Sequence, residues 1–163
     1  RKLLYASVDY MNVSVTLEDS LHKLFPKVDF NCHYKSSIKV VITNDATRVR
    51  KNQFNGQKKL KQITIGKNVS SIGANAFKNC SGLTKLTLPS KCNKIGTSAF
   101  SGCKKLKVLT IKSKKLTNKS VAKGAFKGMP KKTVIKVPKS KLREYTKLFR
   151  KKGLSKKIKI KAI

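Results

Sequence analysis

Apolar residues recur along this chain in a fixed phrase. The clearest copies are Ile72-Gly73-Ala74-Asn75-Ala76-Phe77-Lys78-Asn79-Cys80 and Ile95-Gly96-Thr97-Ser98-Ala99-Phe100-Ser101-Gly102-Cys103. Looser copies run from Val49 through Phe54 to Gln57, and from Val121 through Ala125-Phe126 to Met129. The apolar starters Val49, Ile72, Ile95 and Val121 are evenly spaced over the first two steps, and the last step is slightly longer. Each starter precedes its phenylalanine by the same short interval. A second apolar group follows each phrase: Leu60-Ile63-Ile65, Leu83-Leu86-Leu88, Leu106-Leu109-Ile111, and finally Ile135-Val137. A period in the twenties is the length of one coil of a solenoid, in which stacked repeats bury a continuous core.

Within each coil the alternation at Ile63/Ile65, Leu86/Leu88 and Leu109/Ile111 predicts a short strand with these side chains inward. Thr64, Thr87 and Thr110 then face out. Val40 and Ile42 precede Ile63 and Ile65 by the interval that separates Val49 from Ile72, so Ile38 to Ile42 is the expected first regular rung. Stacked coils make the strands a parallel sheet. Pro89, Pro138 and the Gly- or Asn-rich stretches turn the chain away from it. The Ala-Phe segment is expected to form a single helical turn. Phe54, Phe77, Phe100 and Phe126 become an aromatic spine in the core rather than a ligand platform.

The flanks break the pattern. Leu3 to Val8 and Asn12 to Val15 read as strands, and Thr16 to Phe25 as a helix stopped by Pro26. Ser140 is placed to cap a helix over Lys141 to Lys152, which Gly153 would stop. Lys156 to Lys161 alternates Lys and Ile as a last strand. The organisation expected is an N-terminal segment or cap over 1–37, repeats over 38–138, and a C-terminal helix-strand cap over 139–163.

Charge changes the picture more than composition does. The 163 residues carry 40 Lys+Arg against 6 Asp+Glu, a formal +34. The acids are Asp9, Glu18, Asp19, Asp29, Asp45 and Glu144, so residues 46–143 carry no carboxylate side chain and cannot form salt bridges among themselves. Partners must neutralise this charge or the fold must tolerate it. Only five of the basic residues are Arg. Lysine is a hydrated point charge, unsuited to bidentate recognition, and suits diffuse attraction to a polyanion.

Catalysis finds no support. There is no G-x-S-x-G, GxGxxG, P-loop or H-E-x-x-H, and the repeats lack carboxylates for acid–base work or hard-metal binding. No catalytic residue, metal ligand set or cofactor is expected. Cys32, Cys80, Cys92 and Cys103 form no CxxC, and His22 and His33 lie far from the last three, so zinc is not indicated. Cys80 and Cys103 share one repeat position. A ladder of small buried thiols and a disulfide both fit that placement, and the ladder is the expectation. No apolar run long enough to span a bilayer is present, so no transmembrane segment is expected. The chain opens on Arg1 and reads as a fragment of a longer protein, whose targeting signal it need not retain. The N-x-S sequons at Asn12, Asn68, Asn79 and Asn118 are read as chance.

The lysines also recur in register. Lys58-Lys59, Ser81-Gly82, Lys104-Lys105 and Lys131-Lys132 follow the Cys position, and Lys61, Thr84 and Lys107 precede the strand. Stacking lines them up beside the sheet, with Lys85 and Lys136 on its face. These ten lysines are the candidate polyanion-binding or partner-binding site. Plain solvation of a lysine-rich surface is the competing explanation. Like charges on adjacent strands are mildly destabilising, which favours a neutralising ligand. Nucleic acid is the weaker candidate, because exposed aromatics and arginines are scarce.

The phrases at 72–89 and 95–111 resemble the BspA-type leucine-rich repeat, approximately I-G-x-x-A-F-x-x-C-x-x-L-x-x-L-x-L-P. The resemblance covers roughly residues 38 to 138. Departures are Gln57 and Met129 at the Cys position, Gln53 at the Ala position, and a three-residue expansion in Ser113 to Ser120. The closing Val137-to-Gly153 stretch and its Lys-Ile strand are similar to the ends of such bacterial proteins. The resemblance implies a leucine-rich-repeat solenoid, α/β with a short parallel sheet, in a secreted or cell-surface bacterial protein. It implies a non-catalytic module acting in adhesion, through a host protein or an anionic cell-wall or host polysaccharide, with no small-molecule substrate. The alternative is a structural stalk for a larger secreted protein.

Overall fold

The computed structural model describes residues 12–15, 38–42, 44 and 46–163. The expected strand Leu3 to Val8 and helix Thr16 to Phe25 lie outside the described residues. Among the described residues there are ten strands: β1 (Asn12–Val15), β2 (Ile38–Ile42), β3 (Arg48–Val49), β4 (Leu60–Ile65), β5 (Ser71–Ile72), β6 (Lys85–Leu88), β7 (Lys94–Ile95), β8 (Val108–Ile111), β9 (Val134–Val137) and β10 (Lys159–Ala162). Among the described residues one α-helix, α1 (Leu142–Lys151), lies between β9 and β10. The chain is a leucine-rich-repeat solenoid with two parallel sheets along it.

Seven strands form the larger sheet in the order β1-β2-β4-β6-β8-β9-β10, each pair parallel. The register follows the sequence period. Val40 pairs with Ile63 and Ile42 with Ile65, Leu86 with Leu109 and Leu88 with Ile111, and Leu109 with Ile135. The first strand, β1, precedes the rung expected to be first, setting Val13 beside Val40. The smaller sheet, β3-β5-β7, is built by the starters: Val49 pairs with Ile72 and Ile72 with Ile95, and a bridge adds Val121.

The arc from starter to cysteine is not the helical turn expected of it. Two positions per coil adopt positive φ: Asn52, Asn75, Ser98 and Gly124 in the first column, and Gly56, Asn79, Gly102 and Gly128 in the second. A left-handed residue ends a right-handed helical turn, and Asn and Gly carry the least penalty for it. The arc becomes a run of tight turns whose alternate N–H groups point at the next coil. Asn52, Phe54 and Gly56 donate to Ala74, Ala76 and Lys78 at 2.8–2.9 Å, and Asn75, Phe77 and Asn79 to Thr97, Ala99 and Ser101 at 2.7–2.9 Å. The intervening N–H groups close local turns, as from Lys78 to the Asn75 carbonyl. Backbone polar groups are therefore satisfied on the arc without a helix.

Close approach explains the phrase's glycines. A Cβ on Gly96 would lie 2.4 Å from the Ala74 nitrogen, and one on Gly82 would lie 2.4 Å from the Lys58 carbonyl oxygen. Stacked phenylalanines fill the space behind. Phe54, Phe77 and Phe100 lie with centroids 5.5 and 6.2 Å apart and planes within 5°. Phe126 follows at 6.1 Å. The spine then runs one residue further than expected, into Phe149 of α1 at 4.6 Å.

The three-residue expansion is held by the same helix. The Tyr145 hydroxyl donates to the Ser113 carbonyl and accepts from the Leu116 N–H, both at 3.0 Å. Ser140 does not cap α1. A 3₁₀ turn over Lys139–Lys141 leads into it, and no side chain caps its start. Gly153 stops the helix as expected, at φ +97°, with Leu154 donating to the Phe149 carbonyl and Gly153 to that of Arg150. This double bond pattern is a Schellman stop. The last strand is shorter than expected, and it sets Ile160 beside Ile135.

Cys80, Cys92 and Cys103 are free and buried, so no disulfide joins adjacent coils. The thiols of Cys80 and Cys103 donate to the carbonyls of Phe54 and Phe77 at 2.9 and 3.0 Å. Burial pushes the Cys92 thiol up to about 11 and Cys103 up to about 12, with Cys80 raised further. These are inert core side chains rather than nucleophiles.

Two outcomes follow for the core. Gly96→Ala should cost about 2–3 kcal/mol by overpacking against backbone, and Phe100→Ala about 3–5 kcal/mol by opening the stack, both measured by urea unfolding. A loss below about 0.5 kcal/mol for either would contradict the packing described. A thiol reagent applied to native protein should leave Cys80, Cys92 and Cys103 unmodified, and should modify all three once the chain unfolds. The raised thiols contribute stability in full below their ordinary value of 9.0. It is lost as pH climbs above that, because only the unfolded chain then ionises. A Cys80→Ala/Cys103→Ala variant should show a shallower decline from pH 9 to 11. An equally steep one would refute the assignment.

Candidate functional site

The candidate lysines fall where one coil turns from its arc into the large sheet. Cys80 and Cys103 end their arcs inside the core. The chain must then cross to Leu83 and Leu106, again buried. The residues between point away from the core because both flanking anchors point into it. Lys58, Lys59, Lys104, Lys105, Lys131 and Lys132 occupy this corner and are exposed. Lys61 and Lys107 are exposed just beyond it. The Lys107 N–H bonds the Thr84 carbonyl at 2.8 Å, and the Thr84 N–H that of Lys61 at 3.4 Å. Lys61, Thr84 and Lys107 therefore stack in one column. Lys85 and Lys136 are exposed on the sheet face.

The stripe is interrupted once. In the second coil the corner holds Ser81 and Gly82, and Gly82 is buried against the Lys58 carbonyl. No lysine could occupy Gly82 without displacing that backbone. The lysines of the first and third coils are therefore about 9.6 Å apart, twice the strand spacing, and those of the third and fourth about 4.8 Å.

Two further features of this surface are not among the sequence candidates. The first is a second row of exposed lysines, Lys67, Lys91 and Lys112, at the opposite edge where the strands end. The Lys91 ammonium donates to the Asn68 side-chain oxygen at 2.7 Å, which ties one coil to the next. This row recurs only loosely, since the step from Lys67 to Lys91 is longer than the step from Lys91 to Lys112. The second is the middle of the face. Thr64 and Thr87 are exposed and Thr110 half-buried. Gln62 pairs with Lys85, which sets Thr64 beside Thr87, and Thr87 pairs with Thr110.

Electrostatically the surface is one-sided. Glu144 is the only carboxylate side chain among the described residues, and it accepts from Lys141 at 2.6 Å. That hydrogen bond raises the Lys141 pKa. Burial raises the Tyr145 phenol, whose oxygen is occupied in the expansion. Every buried side-chain N or O among the described residues has a partner. Among them no cluster of three His, Cys, Asp or Glu could hold a metal, and no helix is long and apolar enough to cross a membrane. Phe54, Phe77, Phe100, Phe126, Tyr145 and Phe149 are all buried, so the described surface offers no aromatic ring for stacking on a sugar or base.

Comparison with known proteins agrees with this architecture. The model of a BspA-type leucine-rich repeat region matches residues 26–155 in 6 copies. The structure is similar to a crystal structure of a leucine-rich repeat protein from Bacteroides ovatus, with a TM-score of 0.66 and 24% sequence identity over 98% of this chain. The chain spans 38% of the length of that structure, and at this identity the likeness concerns the fold. No curated protein matches the sequence.

Proposed function

The chain belongs to the BspA-type leucine-rich repeat family, and on that premise we propose that it is a non-catalytic interaction module binding an anionic macromolecule. The contact is the lysine-lined corner of the large sheet: Lys58, Lys59 and Lys61 from one coil, Lys104, Lys105 and Lys107 from another, Lys131 and Lys132 beyond them, with Lys85 and Lys136 on the face. The setting is adhesion at a cell surface, where sulfated, carboxylated or phosphorylated polymers are abundant. Membership of a leucine-rich repeat family supports binding as the kind of activity.

One observation carries the anionic partner. Eight of these lysines stack along a single corner of a rigid solenoid, in a stretch without a carboxylate side chain from residue 46 to 143. Stacked like charges cost stability, and a polyanion that replaces their counterions converts this cost into binding free energy. Lysine suits such a role, since an ammonium satisfies many anion geometries without a fixed fork. Ordered backbone on both sides of the corner keeps the charges in place before the ligand arrives, which reduces the entropy lost on binding.

The test is a salt series with heparin as a generic polyanion. Binding at about 0.05 M salt, where screening is weak, should fall steeply as salt rises. Changing Lys58, Lys104, Lys105 and Lys131 to Gln should weaken binding at least tenfold and flatten the salt dependence by about one unit of slope per lysine. The same four-charge change at Lys123, Lys127, Lys151 and Lys156, on the arc and the end cap, should do much less. Equal losses would mean that no face is special. Absence of binding at about 0.05 M salt would refute the proposal and leave the stalk reading.

A further inference from the structure

We infer that the anionic partner is a linear sulfated polysaccharide lying along the stacking axis, across the strands, with Thr64, Thr87 and Thr110 hydrogen-bonding its ring hydroxyls. This rests on the anionic-partner reading above and adds to it an orientation, a polymer class and a neutral contact set. Three observations lead to it.

The first is the shape of the charge. Lysines line both ends of the strands: Lys61 and Lys107 at one edge, Lys67, Lys91 and Lys112 at the other. Thr64 follows Lys61 on one strand, about 10 Å away at strand rise, and Lys67 lies in the turn beyond the strand's end at Ile65. The threonines form a neutral row on a face that also carries Lys85 and Lys136, between two basic rims. A lysine side chain can reach inward from either rim to an anion above this row. A chain lying along one strand would meet each rim once, whereas a chain lying across the strands meets a rim lysine at several coils.

The second is the threonine column itself. The hydroxyls of Thr117, Thr133 and Thr146 are bonded within the protein. Those of Thr64, Thr87 and Thr110, like those of Thr47, Thr84 and Thr97, have no hydrogen-bond partner among the described residues. Each of the first three is fixed on a β-strand by a branched side chain with few rotamers, so donor and acceptor positions are set in advance at one per coil. A polyanion recognised by charge alone has no use for such a row. A polymer carrying hydroxyls as well as charges does.

The third is the repeat distance. One coil advances about 4.8 Å, comparable with the length of one pyranose along a linear polysaccharide. Successive sugars would then meet successive threonines in the same way. The described surface offers no ring for base stacking, since the six described aromatic rings are buried, and stacking supplies much of single-strand binding.

The experiment compares heparin with inorganic polyphosphate, which has the charge but no hydroxyls, using three variants checked for native unfolding behaviour. The Thr64→Val/Thr87→Val/Thr110→Val triple keeps the branched shape that strands favour. It should bind heparin roughly tenfold more weakly at an unchanged salt slope, while its polyphosphate binding stays as in the wild type. The corresponding triple to Ser keeps the hydroxyls and should retain heparin binding within about twofold. The four-lysine variant above should lose both ligands and flatten both slopes. Undiminished heparin binding by the Val triple, with the lysine variant weakened, overturns this inference alone. Equal losses of both ligands by the Val triple overturn it too, since the threonines would then matter only through the fold. If the lysine variant binds as the wild type does, the anionic-partner reading itself fails.

Discussion

Stacking at the spacing of a parallel β-ladder, about 4.8 Å, limits what each position of a coil can hold. The limit is severe at Gly96 and Gly82, where the backbone of the preceding coil stands 2.4 Å from any added Cβ. It is permissive at the phenylalanines, whose rings slide into offset stacks 5.5–6.2 Å apart by centroid. Between these extremes, the alternate N–H groups of the arc must reach the next coil, and only a left-handed residue at two places per coil aims them there. Glycine, asparagine, phenylalanine and cysteine recur because one spacing applies to every coil. The phrase is the chemical form of that spacing.

The same constraint places the charge. Core anchors on both sides of the corner at Cys103 and Leu106 leave Lys104 and Lys105 outside. Lysines in those positions must stack wherever successive coils carry them. Repulsion within the column opposes folding, and among the described residues the one carboxylate side chain, Glu144, is already engaged by Lys141. Stability has to come from the continuous core, in which each coil's Leu, Ile and Phe contact the equivalents above and below. Buried thiols add to this core by bonding the carbonyl of the previous phenylalanine. The proposed binding surface and a folding liability are thus the same row of side chains.

Most of the fold was legible in the sequence because its determinants are periodic. Val40 opposite Ile63, Leu86 opposite Leu109 and the outward threonines follow from one constant offset between coils. The helical turn expected at the arc was wrong for a local reason. Ala-Phe suggests helix, but Asn75, Asn79 and Ser98 take left-handed conformations, and their recurrence with Gly at the same two positions was the available signal. Ser140 as a cap was wrong because a 3₁₀ turn intervenes. The second lysine row was missed because its two steps, Lys67 to Lys91 and Lys91 to Lys112, are unequal and neither matches the period. The threonine row was seen only as an outward face, since its open hydroxyls show in three dimensions alone. Tyr145 bridging Ser113 and Leu116 joins positions more than a full coil apart across an irregular loop, which no periodicity encodes.

The end of the stack shows how far the spacing reaches. Phe149 follows Phe126 by the same interval that separates Phe77 from Phe100, although it sits on a helix instead of an arc. Its ring still packs on Phe126, the Lys152 carbonyl still accepts from the Gly124 N–H at 3.0 Å, and β10 still sets Ile160 beside Ile135. The closing helix is a coil rebuilt, with the core contacts kept and the open arc replaced. A helix satisfies its own backbone, so it asks nothing of a further coil on its arc side. On the sheet side β10 carries Lys159 and Lys161, which discourage another strand from pairing there. The secondary structure thus changes on one side of this coil and the charge rises on the other. The repeat distance stays constant throughout, and with it the register in which lysines and threonines reach solvent.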